Sequence, residues 1–135
     1  MGPEAILRGV WESINVDGVE GMLGYALPKV ELRSSLMSGT VYKGKAGVRR
    51  WYGDITEAFA YRHWTLDEVH VLSPDVALAV TTGEFKSRSG GVPVRLQTNN
   101  LTEIEDDLII AMTVYLDLDE ALAAGRKLVS LPTRT

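Results

Sequence analysis

Cysteine is absent from the 135 residues of this chain, and histidine occurs only twice. The absence of cysteine excludes disulfide bonds, thiolate metal sites and cysteine nucleophiles. No apolar run approaches the roughly 20 residues that a membrane-spanning helix requires. The first residues, Met1-Gly2-Pro3-Glu4, show no basic segment followed by an apolar stretch, so no signal peptide is predicted. We therefore expect a soluble, cytoplasmic protein.

A strong charge of one sign is also missing. The net charge is −4, whereas a nucleic acid or an anionic membrane surface selects a protein with a basic stripe. Neither is an expected partner. His63 and His70 would need scattered carboxylates to complete a metal site, and no glycine-rich phosphate-loop spacing occurs. We predict no metal and no cofactor.

Apolar side chains recur at helical spacing in the first half of the chain. One helix is predicted over about residues 3–16 and another over Ala46–Tyr61. Between them Asp17 and Glu20 have the spacing of a capping box, which starts a second short helix. Gly18 and two further glycines at intervals of three weaken this helix, so tertiary packing must hold it. Close helix contact along the glycine edge is one explanation.

The apolar spacing changes to a period of two after His63. The predicted strands are Val30–Arg33, Trp64–Leu72, Val76–Ser87, Val92–Ile104 and Leu108–Asp117. Short turns between the long strands indicate antiparallel pairing. Ser34–Gly44 is predicted as a loop or a loose hairpin, and a last helical turn, Asp119–Ala124, ends at Gly125. Helices followed by a run of strands indicate an α+β fold with the helices on one sheet face.

Three segments carry a resemblance to a known family: Pro28-Lys-Val-Glu-Leu-Arg33, Lys43-Gly-Lys-Ala-Gly-Val-Arg-Arg-Trp-Tyr52 and Tyr115-Leu-Asp117. With the order of elements, they resemble the SnoaL-like branch of the nuclear-transport-factor-2-like superfamily, which includes ketosteroid isomerase. The resemblance implies one domain over residues 1–135, with a core at about 4–125 and a tail at 126–135. It also implies a cone-shaped, strongly curved antiparallel sheet wrapped round three N-terminal helices, and a homodimer formed through the outer sheet face.

The resemblance also shows what this chain lacks. The general base of ketosteroid isomerase falls on Leu32, with Glu31 one residue earlier and therefore on the other sheet face. The oxyanion-hole Asp of that enzyme falls on Asn100, whose amide can donate a hydrogen bond, and the supporting Tyr falls on Tyr52. Since the base is missing, steroid isomerisation is not expected.

Strand parity selects Asn100 without reference to any family. In the strand that ends at Ile104, the residues that share a face with Asn100 are more apolar than their neighbours, so Asn100 faces the core. Its amide then needs partners, which are either a ligand or Thr98, Thr102 or a backbone group. The same reasoning places Met112, Val114 and Leu116 inside. The predicted binding residues are Tyr52 and Asn100, which orient a ligand, and Leu32, Trp51, Met112, Val114 and Leu116, which bury it.

Three functions remain open. The first is binding of a small, mostly apolar molecule, such as a polyketide, terpenoid or aromatic metabolite, in a pocket lined largely by apolar groups. The second is an enzyme of the same fold, a cyclase, dehydratase or isomerase, whose acid or base the resemblance does not identify. The candidates for that group are Glu31, Asp54, Asp67, Glu68 and His70. The third is an interaction module whose outer sheet face, with Tyr115, forms a dimer.

Overall fold

The computed structural model describes residues 2–35, 39–57 and 59–130. The elements in chain order are α1 Pro3–Leu23, β1 Ala26–Ser34, β2 Thr40–Lys43, α2 Gly44–Thr56, β3 Phe59–Ser73, β4 Val76–Ser87, β5 Val94–Glu105, β6 Leu108–Tyr115 and α3 Leu118–Ser130. The strands form one six-stranded sheet in the order β2-β1-β6-β5-β4-β3. No helix within the described residues is both long and apolar enough to cross a membrane.

The α+β fold class with a strongly curved sheet is confirmed, although the sheet is mixed. Every neighbouring pair of strands is antiparallel except β1 and β6, which are parallel. The connection between β1 and β6 contains β2, α2, β3, β4 and β5, and a connection of this length permits parallel pairing. The predicted loose hairpin is a regular pair of strands, β1 and β2; residues 36–38 lie outside the described part.

The helix α1 has a sharp break at Gly18, where φ is 64° and ψ is −147°. That conformation is almost restricted to glycine, so the residue separates the two helical segments that the sequence predicts. The predicted capping box is wrong, because Glu20 instead accepts two hydrogen bonds from Arg49, at 2.7 and 3.0 Å. This ion pair links the second segment of α1 to α2, and the guanidinium lowers the pKa of Glu20.

Gly21 lies where the two segments of α1 pack against each other. A Cβ atom at this position would overlap the backbone oxygen of Ser13 and lie 2.8 Å from its carbonyl carbon. The two segments therefore approach each other so closely that no side chain fits between them. The close contact expected along the glycine edge is confirmed for this residue.

The main core lies between the inner face of the sheet and the helices α1 and α2. The predicted apolar stripe of α1 is buried and consists of Ile6, Leu7, Val10, Trp11 and Ile14. The helix α2 ends at Thr56, and residues Phe59 to Tyr61, predicted as helix, belong to β3. Phe59 follows Ile55 by four residues in the sequence, so it continues the helical spacing of the apolar stripe and hides the boundary.

A second core lies on the outer face of the sheet, under α3. Val76, Leu78, Val80 and Leu101 are buried there against Ala121. The predicted last turn is too short, because α3 continues through Gly125 to Ser130. A Cβ atom at Gly125 would overlap the Leu72 side chain and lie 3.1 Å from Leu101 Cδ1. The glycine therefore allows close packing of the helix on the sheet and does not end the helix.

Replacing Gly21 by alanine should lower the free energy of unfolding by about 2 kcal/mol, since the added methyl group meets fixed backbone and forces the segments apart. Urea denaturation measures the change. The matched control is Gly53→Ala in α2, where a Cβ atom would meet nothing within 4 Å and the higher helix propensity of alanine should add about 0.5 to 1 kcal/mol. If the two substitutions changed the free energy of unfolding equally, the close approach of the two segments of α1 at Gly21 would be contradicted.

Candidate ligand cavity

A cavity of about 310 Å³ opens between the two helices α1 and α2 and the inner sheet face. Its size is at the lower end of the range of small-molecule sites, roughly 300 to 1,000 Å³. The helix α2 forms one side of the cavity with Trp51, Asp54 and Ile55, which share one helix face because they are three and four residues apart. The strands β3, β4, β5 and β6 supply most of the remaining wall.

Aromatic rings dominate this wall. The rings in contact with the cavity are Trp11, Trp51, Phe59, Trp64 and Phe85. Phe85 packs against Phe59 with 5.0 Å between ring centroids and meets Trp64 edge-on at 5.5 Å. Gly83 makes room for this arrangement, because a Cβ atom there would lie 2.7 Å from the Phe85 ring. The rings support one another in offset geometries that are favourable for aromatic pairs.

Asn15 fixes the position of the Trp64 backbone. Its Nδ2 donates to the Trp64 carbonyl oxygen at 2.7 Å, and its Oδ1 accepts from the Trp64 N–H at 2.9 Å. β3 is the last strand of the sheet, so this side of it has no neighbouring strand to pair with. The Asn15 side chain provides both hydrogen bonds of a missing neighbour and ties α1 to the aromatic wall.

Asn100 lies at the inner end of the cavity and is fully buried. Its Nδ2 donates to the Ala79 carbonyl oxygen and to Thr81 Oγ1, both at 3.0 Å, and lies 3.5 Å from Thr98 Oγ1. The carbonyl of Ala79 can only accept, so the amide nitrogen must point toward β4. Two of the predicted kinds of partner, a backbone group and Thr98, are therefore present. Thr102 is not a partner of the amide, because its hydroxyl donates to the backbone oxygen of Asn100.

The orientation of this amide decides what Asn100 offers to a ligand. Its two N–H groups have protein acceptors, whereas its Oδ1 accepts no hydrogen bond from the described residues. The expected role of Asn100 as a donor to an oxyanion does not fit this arrangement. The amide presents an acceptor instead. Thr98 also lines the cavity, and its hydroxyl exchanges a 3.0 Å hydrogen bond with Thr81.

Asp54 brings a carboxylate to the cavity wall near the surface. It is exposed to solvent, and its Oδ2 accepts a 3.1 Å hydrogen bond from the hydroxyl of Tyr42. Burial raises the pKa of Tyr42, and the hydrogen bond to the Asp54 carboxylate raises it further. Tyr42 therefore remains a donor and holds the carboxylate in place. The Arg50 guanidinium lies over the Tyr42 ring, 5.9 Å from its centroid.

The structure brings together some of the predicted binding residues. Trp51, Asn100 and Val114 line the cavity. Tyr52 is beside the cavity and packs against Trp64 with 6.0 Å between ring centroids, as expected from its angle of about 100° to Trp51 on the helix. It supports the wall without being part of it.

Three of the predicted binding residues do not line this cavity: Leu32, Met112 and Leu116. Leu32 and Met112 are register partners in the parallel pair of β1 and β6 and line a separate apolar hollow of about 20 Å³. The inward placement of Leu116 is wrong: β6 ends at Tyr115, and Leu116 is 53% exposed. The alternation of the strand stops before this residue, so parity no longer determines its direction.

Of the candidate acids and bases, Asp54 alone lines the cavity among the described residues. Asp67 accepts a hydrogen bond from Thr82, and Glu68 pairs with His70 at 3.2 Å, all on exposed surface. Glu31 is exposed on β1. Within the part of the chain that the structure describes, no group of three or more His, Asp or Glu residues could hold a metal ion.

Three of the five rings of the wall were not predicted as binding residues from the sequence: Phe59, Trp64 and Phe85. A signal for the hollow was present in β4, where the inward residues before Phe85 are small. These residues are Ala77, Ala79, Thr81 and Gly83. A row of small inward side chains followed by a large ring leaves space in front of the sheet. Asn15 gave no signal, because its partner is backbone from residue 64.

No protein-family model and no curated protein matches the chain. Solved structures do match. A Catenulispora acidiphila protein with a ketosteroid isomerase-like fold, in complex with trimethylamine, has a TM-score of 0.74, 13% identity and coverage of 93% of this chain and 95% of its own. The Mycobacterium tuberculosis protein RV0760c, in complex with estradiol-17beta-hemisuccinate, has a TM-score of 0.71, 20% identity and coverage of 88% and 97%.

The Delta 5-3-ketosteroid isomerase from Mycobacterium sp. has a TM-score of 0.68, 17% identity and coverage of 88% of this chain and 96% of its own. At these identities the similarity concerns the fold, because one fold supports many chemistries. The chain therefore has the ketosteroid isomerase-like, nuclear-transport-factor-2-like fold that its sequence resembles.

Proposed function

We propose that this chain is a single SnoaL-like domain that binds a small, mostly apolar molecule of the polyketide, terpenoid or aromatic-metabolite type. The observation that carries the proposal is the cavity of about 310 Å³ with rings on several sides and few polar groups. Small-ligand sites have this composition: apolar walls bury the ligand and a few polar groups orient it. Trp51 and Val114 contribute to the walls, and Asn100 orients the ligand.

The polar groups at the inner end favour a ligand with a hydroxyl group. Asn100 Oδ1 is an acceptor without a donor from the described residues, and a buried acceptor gains stability when a donor reaches it. A ligand hydroxyl can donate to Oδ1 and accept from Thr98. A ligand carbonyl oxygen can accept from Thr98, or from Trp11 Nε1, a buried donor of the same wall without an acceptor among the described residues. It cannot donate to Asn100 Oδ1, however, so we expect alcohols and phenols to bind better than the matching ketones.

The structural neighbours support a ligand-binding function of this kind. RV0760c holds a steroid ester, and the Catenulispora acidiphila protein holds trimethylamine. These two ligands differ greatly in size, so proteins of this fold bind varied small molecules. In the present chain, the aromatic wall narrows the choice to a ligand with flat or ring-shaped apolar parts.

The cytoplasmic location and the homodimer remain predictions. The helix α3 already covers Val76, Leu78, Val80 and Leu101 on the outer sheet face. These residues are not available to a partner subunit while α3 is in place. We therefore propose that a homodimer uses the part of the outer face that α3 leaves open.

An enzyme with Asp54 as its acid or base is the second candidate. The observation in its favour is that Asp54 is a carboxylate at the cavity wall with a tyrosine hydroxyl donating to it. A carboxylate at hydrogen-bond distance from a substrate proton can act as a general base. Its position near the surface differs from the buried position at Leu32, where the resemblance places the isomerase base.

Substituting phenylalanine for Thr98 should place a ring inside the cavity and weaken the binding of estradiol or 2-naphthalenemethanol at least about tenfold, because the ring occupies ligand space. Isothermal titration calorimetry measures the affinity. Gln97→Phe is the matched control, since residue 97 faces the opposite side of the same strand and should leave the affinity unchanged. A loss of affinity in the Gln97 variant but not in the Thr98 variant would place the ligand on the other sheet face.

We also expect no steroid isomerisation. Incubation with 5-androstene-3,17-dione should give no conjugated enone above the uncatalysed rate, because Leu32 cannot remove a proton and the N–H groups of Asn100 have other acceptors. Ultraviolet absorbance follows the product. Turnover that disappears in Asp54→Asn would establish the enzyme and refute this expectation.

A further inference from the structure

The charge of the cavity wall restricts the ligand. Among the described lining residues Asp54 is the only one with a charged side chain, and no lysine, arginine or histidine takes part. The remaining wall consists of five aromatic rings with neutral polar and aliphatic groups. Aromatic rings present a negative face to a cation. Both components of the wall therefore favour positive charge and disfavour an anion.

The Asp54 carboxylate is held in place but is not neutralised. Tyr42 donates to one of its oxygens, and no cationic side chain of the described residues lies within 4.0 Å of the other. Asp54 lies one helical turn after Trp51, so the carboxylate and the Trp51 ring share one face of α2. A cation that reaches this face meets both groups together.

Two arginines of this region, Arg50 and Arg62, make contacts with groups other than Asp54. The Arg50 guanidinium lies over the Tyr42 ring. The Arg62 guanidinium lies 5.7 Å from the centroid of the Tyr52 ring and donates to the carbonyl oxygens of Thr56 and Phe59 at 3.5 and 3.3 Å. These contacts occupy both side chains outside the cavity, which leaves the Asp54 carboxylate accessible to a ligand cation.

From this arrangement we propose that the ligand carries a protonated amine, which binds at the mouth between Asp54 and the aromatic rings while its apolar body fills the interior. The proposal rests on the proposed binding function and adds the charge of the ligand to it. An ammonium group gains a charge-assisted hydrogen bond from a carboxylate and a cation–π contact from the rings. A carboxylate or phosphate ligand gains neither.

Three compounds that share one ring system test the charge: 2-naphthalenemethylamine, 2-naphthalenemethanol and 2-naphthoate. Calorimetry at neutral pH should give the amine the highest affinity, about tenfold above the alcohol, with the naphthoate the weakest. Asp54→Asn should remove about tenfold of the affinity for the amine and leave the alcohol within about twofold. The substitution keeps size and shape, and Asp54 is exposed, so the variant is expected to fold.

Two further variants distinguish a direct contact with Asp54 from the overall charge of the protein and from the cation–π contact. Glu57→Gln removes the same charge one turn along at an exposed position that does not line the cavity, and it should leave all affinities unchanged. Phe59→Leu keeps an apolar wall without a ring face, and should weaken the amine more than the alcohol. A similar loss in Glu57→Gln and Asp54→Asn would assign the effect to the overall field of the protein and overturn the proposal.

The same measurements distinguish a failure of the amine preference from a failure of the binding function. If the alcohol and the amine bind equally to the wild-type protein, or Asp54→Asn weakens both equally, the amine proposal is wrong and the cavity remains a ligand site. If none of the three compounds binds, the binding function itself is wrong, and the amine proposal with it.

Discussion

The site depends on a difference in side-chain size across the inner face of the sheet. β4 presents Ala77, Ala79, Thr81 and Gly83, and a ring follows only at Phe85. The tryptophans of α1, α2 and β3 are too large and rigid to collapse into the space these small residues leave. Interiors are normally filled to crystal-like density. A hollow of about 310 Å³ in a domain of this size is therefore unusual, and it is the space in which we propose that a ligand binds.

Much of the fold follows from patterns that the sequence shows directly. The helical stripe of α1 is continuous, the break coincides with glycine, and alternation in the later strands is long enough to fix their boundaries within a few residues. Parity also placed Asn100 on the inner face, because one face of β5 is clearly more apolar than the other. Its hydrogen-bond partners lie on β4, 19 to 21 residues away, so the direction of its amide required the structure.

The rest could not be predicted because it depends on contacts between distant segments. β4 is apolar on both faces, which is typical of strands that are covered on both sides. The sequence does not show that the cover on the outer face is α3, because this depends on how the helix folds back onto the sheet. Gly125 resembles a helix end in sequence, whereas its role is to let α3 approach Leu72 and Leu101. Asp54 was one of five candidate acids and bases that the sequence could not rank, and only the packing of α2 on the sheet shows that it borders the cavity.

We propose that the cavity binds a ligand whose hydroxyl group reaches the Asn100 acceptor. A crystal structure of the protein with 2-naphthalenemethanol tests it most directly. We predict that the naphthalene ring lies among Trp51, Trp64 and Phe85 and that the hydroxyl oxygen lies at hydrogen-bond distance from Asn100, with the amide nitrogen still bonded to Ala79. A ligand bound elsewhere, or an Asn100 amide turned so that its nitrogen faces the ligand, would contradict the account.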